Sequence, residues 1–394
     1  MAVANAAVAE KTAPVSPAEL VARARAMQPV LRERAERAEA ERHVPRETVA
    51  EFKKAGLIRM TQPRRFAGAA MGWDTLCEVA QTLAAADGAQ AWIQAIMADH
   101  AVILGTWDDR AQNDVWGADP DAAMSASLDP KGIAKPCDGG FMFSGTFAFS
   151  SGVDHADWVI CGGFVVEDDK RSGPHFFLLP RADIRIVDDW FTAGLEGTGS
   201  KTFEVAEVFV PAHRMLDGPS ARAGRAVGAN LDDAPVYRLP RGGLTPTVFA
   251  ALSVGMAQGL LAEWLKYTAS RVSRDGAMGG HPASHIVAGE ASAKIASAEA
   301  LYLTTIRDAM RRVGEGETLS DSYILQAKRN ASWAARVALE AGTLLFNNGG
   351  GRAIFTANAM QRQYRNLVAA AAHYSIQWET NAMACGKDLI ASAG

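Results

Sequence analysis

The chain has 394 residues, of which 48% are hydrophobic and 21% are charged, as in a globular protein with a substantial buried core. Its 40 Lys and Arg residues against 44 Asp and Glu residues give a net charge of −4, with no block of like charge, which argues against nucleic acid as a partner. The longest apolar run, residues 248–265, is interrupted by polar residues and glycines, so no membrane-spanning helix is predicted.

The N-terminus lacks the charged start and apolar stretch of a secretion signal, and residues 1–15 are interpreted as a disordered tail. The four cysteines, Cys77, Cys137, Cys161 and Cys385, are far apart and form no Cys-x-x-Cys pair. We therefore predict reduced thiols in a cytoplasmic protein, and no metal site.

Helical periodicity dominates residues 16–120, which predict an N-terminal helical domain. Ser16, Pro17 and Glu19 form a capping box, and the apolar spacing that follows indicates one long amphipathic helix, kinked at Pro29. Three further helices are predicted, the last the most apolar and therefore the most buried. They run from Pro45 to Gly56, from Asp74 to Ala86 and from Ala89 to Leu104.

The period changes to two in residues 121–216, which predict a central β-domain. Phenylalanines fall on every second residue from Phe141 to Phe149 except at Gly145. Further strands are predicted between clusters of Gly, Asp and Pro. They are Trp158–Val166, His175–Pro180, Arg185–Val187 and Thr202–Val210.

A Gly-, Ala- and Asp-rich linker, residues 217–235, precedes a C-terminal region, residues 236–394, that is again helical. Its four long helices predict an antiparallel four-helix bundle. They are Thr247–Ser273, His285–Gly314, Ser320–Asn347 and Asn358–Ser392. The fold class is therefore α+β and multidomain: helices, then a β-domain, then a bundle.

Four local motifs occur in a fixed order along this framework. They are Gly145–Gly152 followed by Ala156–Val159, then Phe203–Pro211, then Tyr267–Arg271, and last Asn347–Gly351 followed by Gln361–Asn366. In this order they resemble the acyl-CoA dehydrogenase fold, and within it the two-component flavin-dependent monooxygenases of the p-hydroxyphenylacetate hydroxylase and dibenzothiophene monooxygenase branch. The resemblance covers nearly the whole chain and implies a barrel-like β-domain.

The carboxylate that a dehydrogenase of this fold needs to deprotonate a thioester is absent. The resemblance places it six residues after Arg365, at Ala371, or near Thr245, and neither is an acid. His373 stands where the oxygenase branch carries a histidine, and we predict that it is catalytic, hydrogen-bonding a flavin hydroperoxide or accepting a substrate proton. The alternative is an ordinary helix histidine.

Three residues at the end of the phenylalanine strand are predicted to bind flavin. By the resemblance, Ser151 takes the place of the hydroxyl that binds flavin N5 and also has a catalytic part, and Phe149 covers the ring. Ser150 takes the role of Ser151 if the register slips by one residue. The alternative is a plain Ser-Ser-Gly turn.

Substrate contacts are predicted on the fourth helix and on the loop that follows it. The resemblance gives His100 a catalytic and substrate-binding role, together with a serine, Ser127 or Ser125. Trp92 lies eight residues before His100, so both can share one helix face. Core packing is the alternative for both.

Arg271 and the glycines Gly349, Gly350 and Gly351 are candidate contacts for a flavin phosphate or diphosphate. The alternative for the glycines is a helix cap and turn. In the fold that the chain resembles, this arginine serves a neighbouring subunit, which implies a homo-oligomer, with a tetramer favoured. The backbone of Gly197–Ser200 is a further candidate for flavin contact.

The resemblance implies the oxygenase component of a two-component monooxygenase that uses reduced FMN or FAD and O2 to hydroxylate a small phenolic or indolic substrate. Because no Rossmann fingerprint is present, a separate flavin reductase is the expected partner. Three alternatives stay open: an acyl-CoA dehydrogenase with FAD and an atypical base such as Glu263 or Glu379, a monooxygenase acting on S or N, and a non-enzymatic flavin carrier.

Overall fold

A computed structural model describes residues 15–222, 225–273 and 276–393. The predicted tail lies outside these residues except for Val15. The N-terminal region contains five helices: α1 Pro17–Glu41, α2 Arg46–Lys54, α3 Trp73–Ala84, α4 Gly88–Gly105 and α5 Asp109–Trp116. The last of these was not predicted.

The predicted capping of α1 is present, since the Ser16 hydroxyl accepts the backbone N–H of Glu19 at 3.2 Å. The helix continues through Pro29 as a single element of 25 residues. Every residue of α4 is buried, as its apolar composition predicts. Its N-terminus is capped by the carboxylate of Asp87, which accepts the N–H of Gln90 at 2.9 Å.

The central region forms one seven-stranded sheet in the order β5-β6-β2-β1-β3-β4-β7. All paired neighbours are antiparallel except β1 and β3. The strands are β1 Met124–Cys137, β2 Gly140–Ser150, β3 Trp158–Glu167, β4 Lys170–Pro180, β5 Arg185–Val187, β6 Lys201–Pro211 and β7 Met215–Leu216.

The barrel-like closure predicted for this domain is wrong, because the two edge strands do not pair. The edge strands are only three and two residues long and lie at opposite ends of the sheet. The five predicted strands are all found, whereas two were missed, the two-residue edge strand β7 and the long strand β1. Its alternation is interrupted by a register shift between Ser127 and Gly132.

The C-terminal region is a bundle of long helices. The elements that follow the sheet are α6 Gly218–Arg222, α7 Arg241–Leu244, α8 Pro246–Ser270, the two-stranded β8 Val272–Ser273 and β9 Gly276–Ala277, α9 Pro282–Gly314, α10 Asp321–Asn347, α11 Ala359–Ala371 and α12 Trp378–Ala391. The predicted linker contains α6, and the N–H of Gly228 in it binds the carbonyl of Thr106 at 2.9 Å.

The fourth predicted bundle helix, residues 358–392, is wrong as a single element. It is two helices, α11 and α12, separated by a turn at residues 372–377. The amide of Asn381 donates to the carbonyl of Ser375 at 2.8 Å, and His373 caps the turn with its side chain. These bonds replace the helical ones that a continuous segment would make.

The N-terminal helices and the bundle share one hydrophobic core, in which Trp73 and Leu76 of α3 and Val248 and Leu252 of α8 are fully buried. Residues 241–270, spanning α7 and α8, are long and apolar enough to cross a membrane by length and composition alone, with a mean hydropathy of 1.4 in the tested window. However, 72% of that window is buried within the protein, as expected of the central helix of a bundle.

A tight approach between α11 and the loop before β6 fixes the position of that loop. A Cβ atom at Gly194 would lie 2.1 Å from the carbonyl oxygen of Arg365. On either side of it, the Arg365 guanidinium donates to the carbonyl of Ala193 at 2.7 Å, and Asn366 Oδ1 accepts the N–H of Leu195 at 2.7 Å.

We expect Gly194→Ala to lower the free energy of unfolding by about 1–3 kcal/mol, because the added methyl overlaps a helix carbonyl that cannot move alone. Denaturant unfolding measures the change. Gly289→Ala is the matched control: nothing lies within 4 Å of its added Cβ in the exposed face of α9, so about 0.5–1 kcal/mol of stabilisation is expected. Equal effects of the two substitutions would contradict the tight approach.

Candidate functional site

Three aromatic rings from separate elements meet at one point beside the end of β2. The ring of Trp92 in α4 lies 4.9 Å from that of Phe249 in α8, and 5.7 Å from the imidazole of His373. Phe249 and His373 stack with centroids 3.8 Å apart at 25°. The break between α11 and α12 places the imidazole there, so His373 is not the helix histidine of the alternative interpretation.

Hydrogen bonding determines where neutral His373 carries its proton. The backbone N–H of Ser375 donates to its Nδ1 at 3.3 Å, and the Ser375 hydroxyl lies 2.8 Å from the same atom. Because a backbone N–H can only donate, Nδ1 accepts and the proton of the neutral ring is on Nε2. Burial lowers the pKa of His373 to about 4, so the ring is neutral at pH 7.

His100 has the opposite arrangement. Its Nδ1 lies 2.9 Å from the carbonyl oxygen of Met124, which can only accept, so Nδ1 carries the proton and Nε2 is left with a lone pair. Burial lowers the pKa of His100 to about 4, against the opposing effect of the Asp99 carboxylate. Arg241 pairs with Asp99 in a bidentate ion pair, so that carboxylate is not free to act as a base.

Ser151 lies next to the aromatic rings. Its hydroxyl oxygen accepts the indole N–H of Trp92 at 3.1 Å, and only 8% of the residue is exposed. Phe149 precedes it at a φ of +60°, is 74% exposed, and contacts Trp190 edge-on at 5.8 Å. A left-handed backbone costs conformational free energy at a non-glycine residue such as Phe149, and residues in this conformation cluster at functional sites.

The other three serines are engaged with the backbone or with each other. The Ser125 hydroxyl donates to the carbonyl of Ser151 at 2.8 Å and lies 2.6 Å from that of Ser150. Both side chains are fully buried. Ser127 donates to the carbonyl of Ala148 at 2.7 Å and is slightly exposed. Of the two serines predicted to contact substrate, Ser127 is therefore the more accessible.

The structure also brings together Arg271 and the glycine turn, at the far end of α8. Gly350 has a φ of +71°, and a Cβ there would lie 2.6 Å from the Arg271 Nη1 atom. That nitrogen is buried and has no hydrogen-bond partner among the residues described. A buried guanidinium N–H without an acceptor beside a left-handed glycine fits an anion such as a phosphate.

Neither atypical base considered for a dehydrogenase lies with the rings. Glu263 is 14 residues beyond Phe249 in α8, roughly 21 Å along the helix axis. It lines a cavity of about 90 Å³ together with Arg32 and Arg362. Glu379 is exposed in the first turn of α12. A second cavity, of about 340 Å³, lies between α1, α3, α8 and α9 and is lined mostly by polar residues. None of the predicted site residues lines it.

Several residues of this arrangement were not predicted. Phe249 looked like any apolar position of a buried helix, and Ser375 was hidden inside a predicted helix. Ser200, whose hydroxyl lies 2.7 Å from that of Ser151, was considered only for its backbone. In the part of the chain that the structure covers, no three metal-ligating side chains cluster.

The lowered pKa of His100 predicts a pH dependence of stability. Its pKa is about 4 in the folded state against an ordinary value of 6.5, so its contribution is complete above pH 6.5 and is lost as the pH falls through about 4. Over this window the free energy of unfolding should fall by up to about 1.4 kcal/mol per pH unit through this residue. We expect His100→Asn to flatten the pH profile of denaturant unfolding over this window, and a profile as steep as that of the wild type would contradict the assignment.

Known proteins resemble this chain over nearly its whole length. The family model for the acyl-CoA dehydrogenase N-terminal domain matches residues 19–112, and that for the C-terminal domain matches residues 247–378. The chain is 33% identical over 353 residues to HsaA of Rhodococcus jostii (strain RHA1), the oxygenase subunit of a flavin-dependent monooxygenase, covering 88% of this chain and 92% of the relative.

Two further matches agree. The oxygenase component of FADH2-dependent resorcinol hydroxylase from Rhizobium sp. (strain MTP-10005) is 30% identical over 384 residues, covering 94% of each chain. The crystal structure of the HsaA monooxygenase from M. tuberculosis superposes with a TM-score of 0.91 at 30% identity, covering 96% of this chain and 98% of that one. The predicted fold is thus confirmed, and the chain belongs to the acyl-CoA dehydrogenase-fold family of flavin-dependent monooxygenase oxygenase subunits.

Proposed function

We propose that this chain uses reduced flavin from a separate reductase, together with O2, to hydroxylate a small phenolic or indolic compound. The observation that carries the proposal is His373, whose neutral imidazole stacks on Phe249 two residues after Ala371, the position where a dehydrogenase of this fold would need a carboxylate. The Rhizobium relative is named for resorcinol, a phenol, and for FADH2.

The residues present fit a flavin. The exposed ring of Phe149 offers an apolar face, the Ser151 oxygen offers a hydrogen-bonding atom beside it, and Arg271 with Gly350 offers an anion site. When bound, reduced flavin supplies the electrons that activate O2 for transfer of one oxygen atom.

His373 supplies a hydrogen-bond donor in this proposal. Its Nε2 holds the proton of the neutral ring, because the Ser375 N–H occupies Nδ1. A neutral donor stabilises an oxygen anion in a buried site without the repulsion that a carboxylate would impose. The stacking of Phe249 on the imidazole holds the ring in place.

His100 supplies the acceptor. Its Nε2 lone pair can accept a hydrogen bond from a phenol hydroxyl or an indole N–H, since Nδ1–H is bound to the carbonyl of Met124. Ser127, on the strand that begins at Met124, is the hydroxyl that would assist it. A hydrogen-bond donor at His373 and an acceptor at His100, about two helical turns from Trp92 on α4, favour an arene that bears a hydroxyl or N–H group.

The anion site and the ring site cannot serve one flavin within a single chain. Phe249 and Arg271 are 22 residues apart on α8, which is roughly 33 Å along the helix, farther than a flavin's phosphates lie from its ring system. We therefore infer that Arg271 and Gly349–Gly351 contact the flavin of a neighbouring copy. A homo-oligomer follows, and a tetramer with cytoplasmic location is the form we propose.

The direct test supplies the purified chain with FADH2 or FMNH2, 18O2 and a panel of phenols and indoles, and follows the label into product by mass spectrometry. We expect one labelled oxygen in the product. In a separate anaerobic assay with oxidised FAD and an acyl-CoA, reduction of the flavin by the acyl-CoA would instead favour the dehydrogenase. A labelled sulfoxide or N-oxide from a thioether or amine added to the panel would favour heteroatom oxidation. Flavin binding without any product would leave only a carrier.

The same assay separates the roles of two residues. His373→Ala should lower the rate of product formation about 10²–10³-fold, the usual cost of removing one hydrogen-bond donor that stabilises a developing oxygen anion, and leave flavin binding nearly unchanged. Ser151→Ala should divert reduced flavin to H2O2. An unchanged product yield in either variant would remove the role assigned to that residue.

Mixed oligomers test the contribution of the second copy. Arg271→Ala should weaken flavin binding roughly 10–100-fold through lost charge-assisted hydrogen bonds, and Ser151→Ala impairs the ring site. Co-expression of the two variants should recover about a quarter of the wild-type activity, because an intact site forms where the Arg271→Ala chain borrows the arginine of its neighbour. A co-expressed mixture no more active than the separate variants would contradict the shared site.

A further inference from the structure

A buried chain of three hydroxyl groups, which we call the hydroxyl relay, runs from Ser151 to Ser200 and Thr198. The oxygen of Ser151 lies 2.7 Å from that of Ser200, and the oxygen of Ser200 lies 2.6 Å from that of Thr198. The Thr198 hydroxyl lies 2.7 Å from the carbonyl of Leu195, and the Trp92 indole N–H reaches the other end at Ser151.

The two ends of the relay determine the direction of every bond in it. A carbonyl can only accept, so the Thr198 hydroxyl donates to Leu195. Its oxygen must then accept the proton of Ser200, and the oxygen of Ser200 must accept the proton of Ser151. At the other end an indole N–H can only donate, so Ser151 accepts from Trp92. This is the one arrangement in which all three hydroxyl protons and the indole proton are used in these four bonds.

Ser151 is therefore left with acceptor capacity and no proton to give. All three hydroxyl residues are at most 8% exposed, so water cannot cheaply supply an alternative partner. The neighbouring Ser150 cannot substitute for it, because its side chain is fully buried against Ser125.

We infer that the hydroxyl relay makes this chain select the reduced form of its flavin, by presenting at Ser151 an oxygen that accepts but cannot donate. The inference rests on the proposed function, in which Ser151 meets flavin N5. Reduced flavin carries a hydrogen on N5 and matches such an oxygen. Oxidised flavin has a lone pair there and would face a second lone pair. Ser200 and Thr198 are then positioning residues that set redox selectivity without touching the substrate.

The loop that carries the relay is held independently of any ligand. Leu195 and Gly199 both have left-handed backbone, with φ of +55° and +53°, and the N–H of Leu195 is bound by Asn366 of α11. The Leu195 carbonyl also accepts the indole N–H of Trp190 at 3.2 Å and the N–H of Thr198 at 3.0 Å. The fixed end of the relay is thus part of the folded loop.

The test measures dissociation constants for FAD, by quenching of its fluorescence, and for FADH2, by anaerobic titration, and compares their ratio among variants. Thr198→Val leaves Ser200 free to donate to Ser151, whose own proton can then turn toward N5. Ser200→Ala removes the acceptor of that proton directly. In both variants we expect the preference for FADH2 to fall about tenfold, which is the net effect of one hydrogen bond.

Two variants serve as controls. Thr198→Ser keeps the hydroxyl and should keep the wild-type ratio. Thr192→Val removes a hydroxyl that donates to the Gly194 carbonyl in the same loop, outside the relay. This variant should also keep the wild-type ratio of the two dissociation constants.

The outcomes separate this inference from the proposed function. A ratio unchanged in both Thr198→Val and Ser200→Ala, with wild-type melting temperatures, overturns the relay even if hydroxylation continues. If Thr198→Ser loses the preference for FADH2, the inference is overturned as well, since that variant keeps the relay complete. A wild-type chain that binds neither FAD nor FADH2 overturns the proposed function and this inference together.

Discussion

The site depends on a constraint imposed by α4: a helix buried on every side must find partners for its polar side chains inside the protein. Each partner lies on a different element, so satisfying the helix also fixes its neighbours. Gln90 binds the carbonyl of Leu31 in α1, Trp92 binds Ser151 after β2, Gln94 binds the carbonyl of Leu57, Asp99 binds Arg241 of α7, and His100 binds the carbonyl of Met124 in β1. These bonds fix the positions of the N-terminal helices, the sheet and the bundle relative to α4. The proposed site lies beside the bonds that Trp92 and His100 make.

The same constraint explains why the proposed chemistry can be carried out by uncharged groups. A buried histidine is kept neutral by the cost of burying its charge, and the position of its proton then follows from whichever partner occupies the other ring nitrogen. His100 is bound to a carbonyl and becomes an acceptor, whereas His373 is bound to a backbone N–H and becomes a donor. Two identical side chains therefore acquire opposite properties from backbone groups alone. No carboxylate is required, which fits a family whose reaction involves oxygen rather than the deprotonation of a thioester.

The sequence was sufficient where the information is local. The Ser16 cap, the buried α4 and the bounds of β2 all follow from spacings within one element, and the structure agrees with them to within a few residues. The family motifs added the predicted site residues, which the structure places in two groups. The break at His373 was not predictable, because the apolar spacing continues through it. The turn is stabilised by a hydrogen bond from Asn381, which lies outside it in α12. Likewise, the relay joins residues about 50 positions apart through hydroxyl groups that resemble an ordinary turn in the sequence.

The two groups of predicted residues lie at opposite ends of α8, and this separation has a consequence for assembly. An enzyme whose ring site and phosphate site belong to the same flavin must bring together the start of α8 in one copy and its end in another. The surface beside the glycine turn is suited to such a contact, since Ile354 and Phe355 are 69% and 64% exposed directly after it. Exposed apolar side chains next to the buried Arg271 Nη1, which has no acceptor among the described residues, indicate a surface that is incomplete in one chain. Under this proposal the length of α8, rather than any single contact, makes the oligomer a requirement for binding the cofactor.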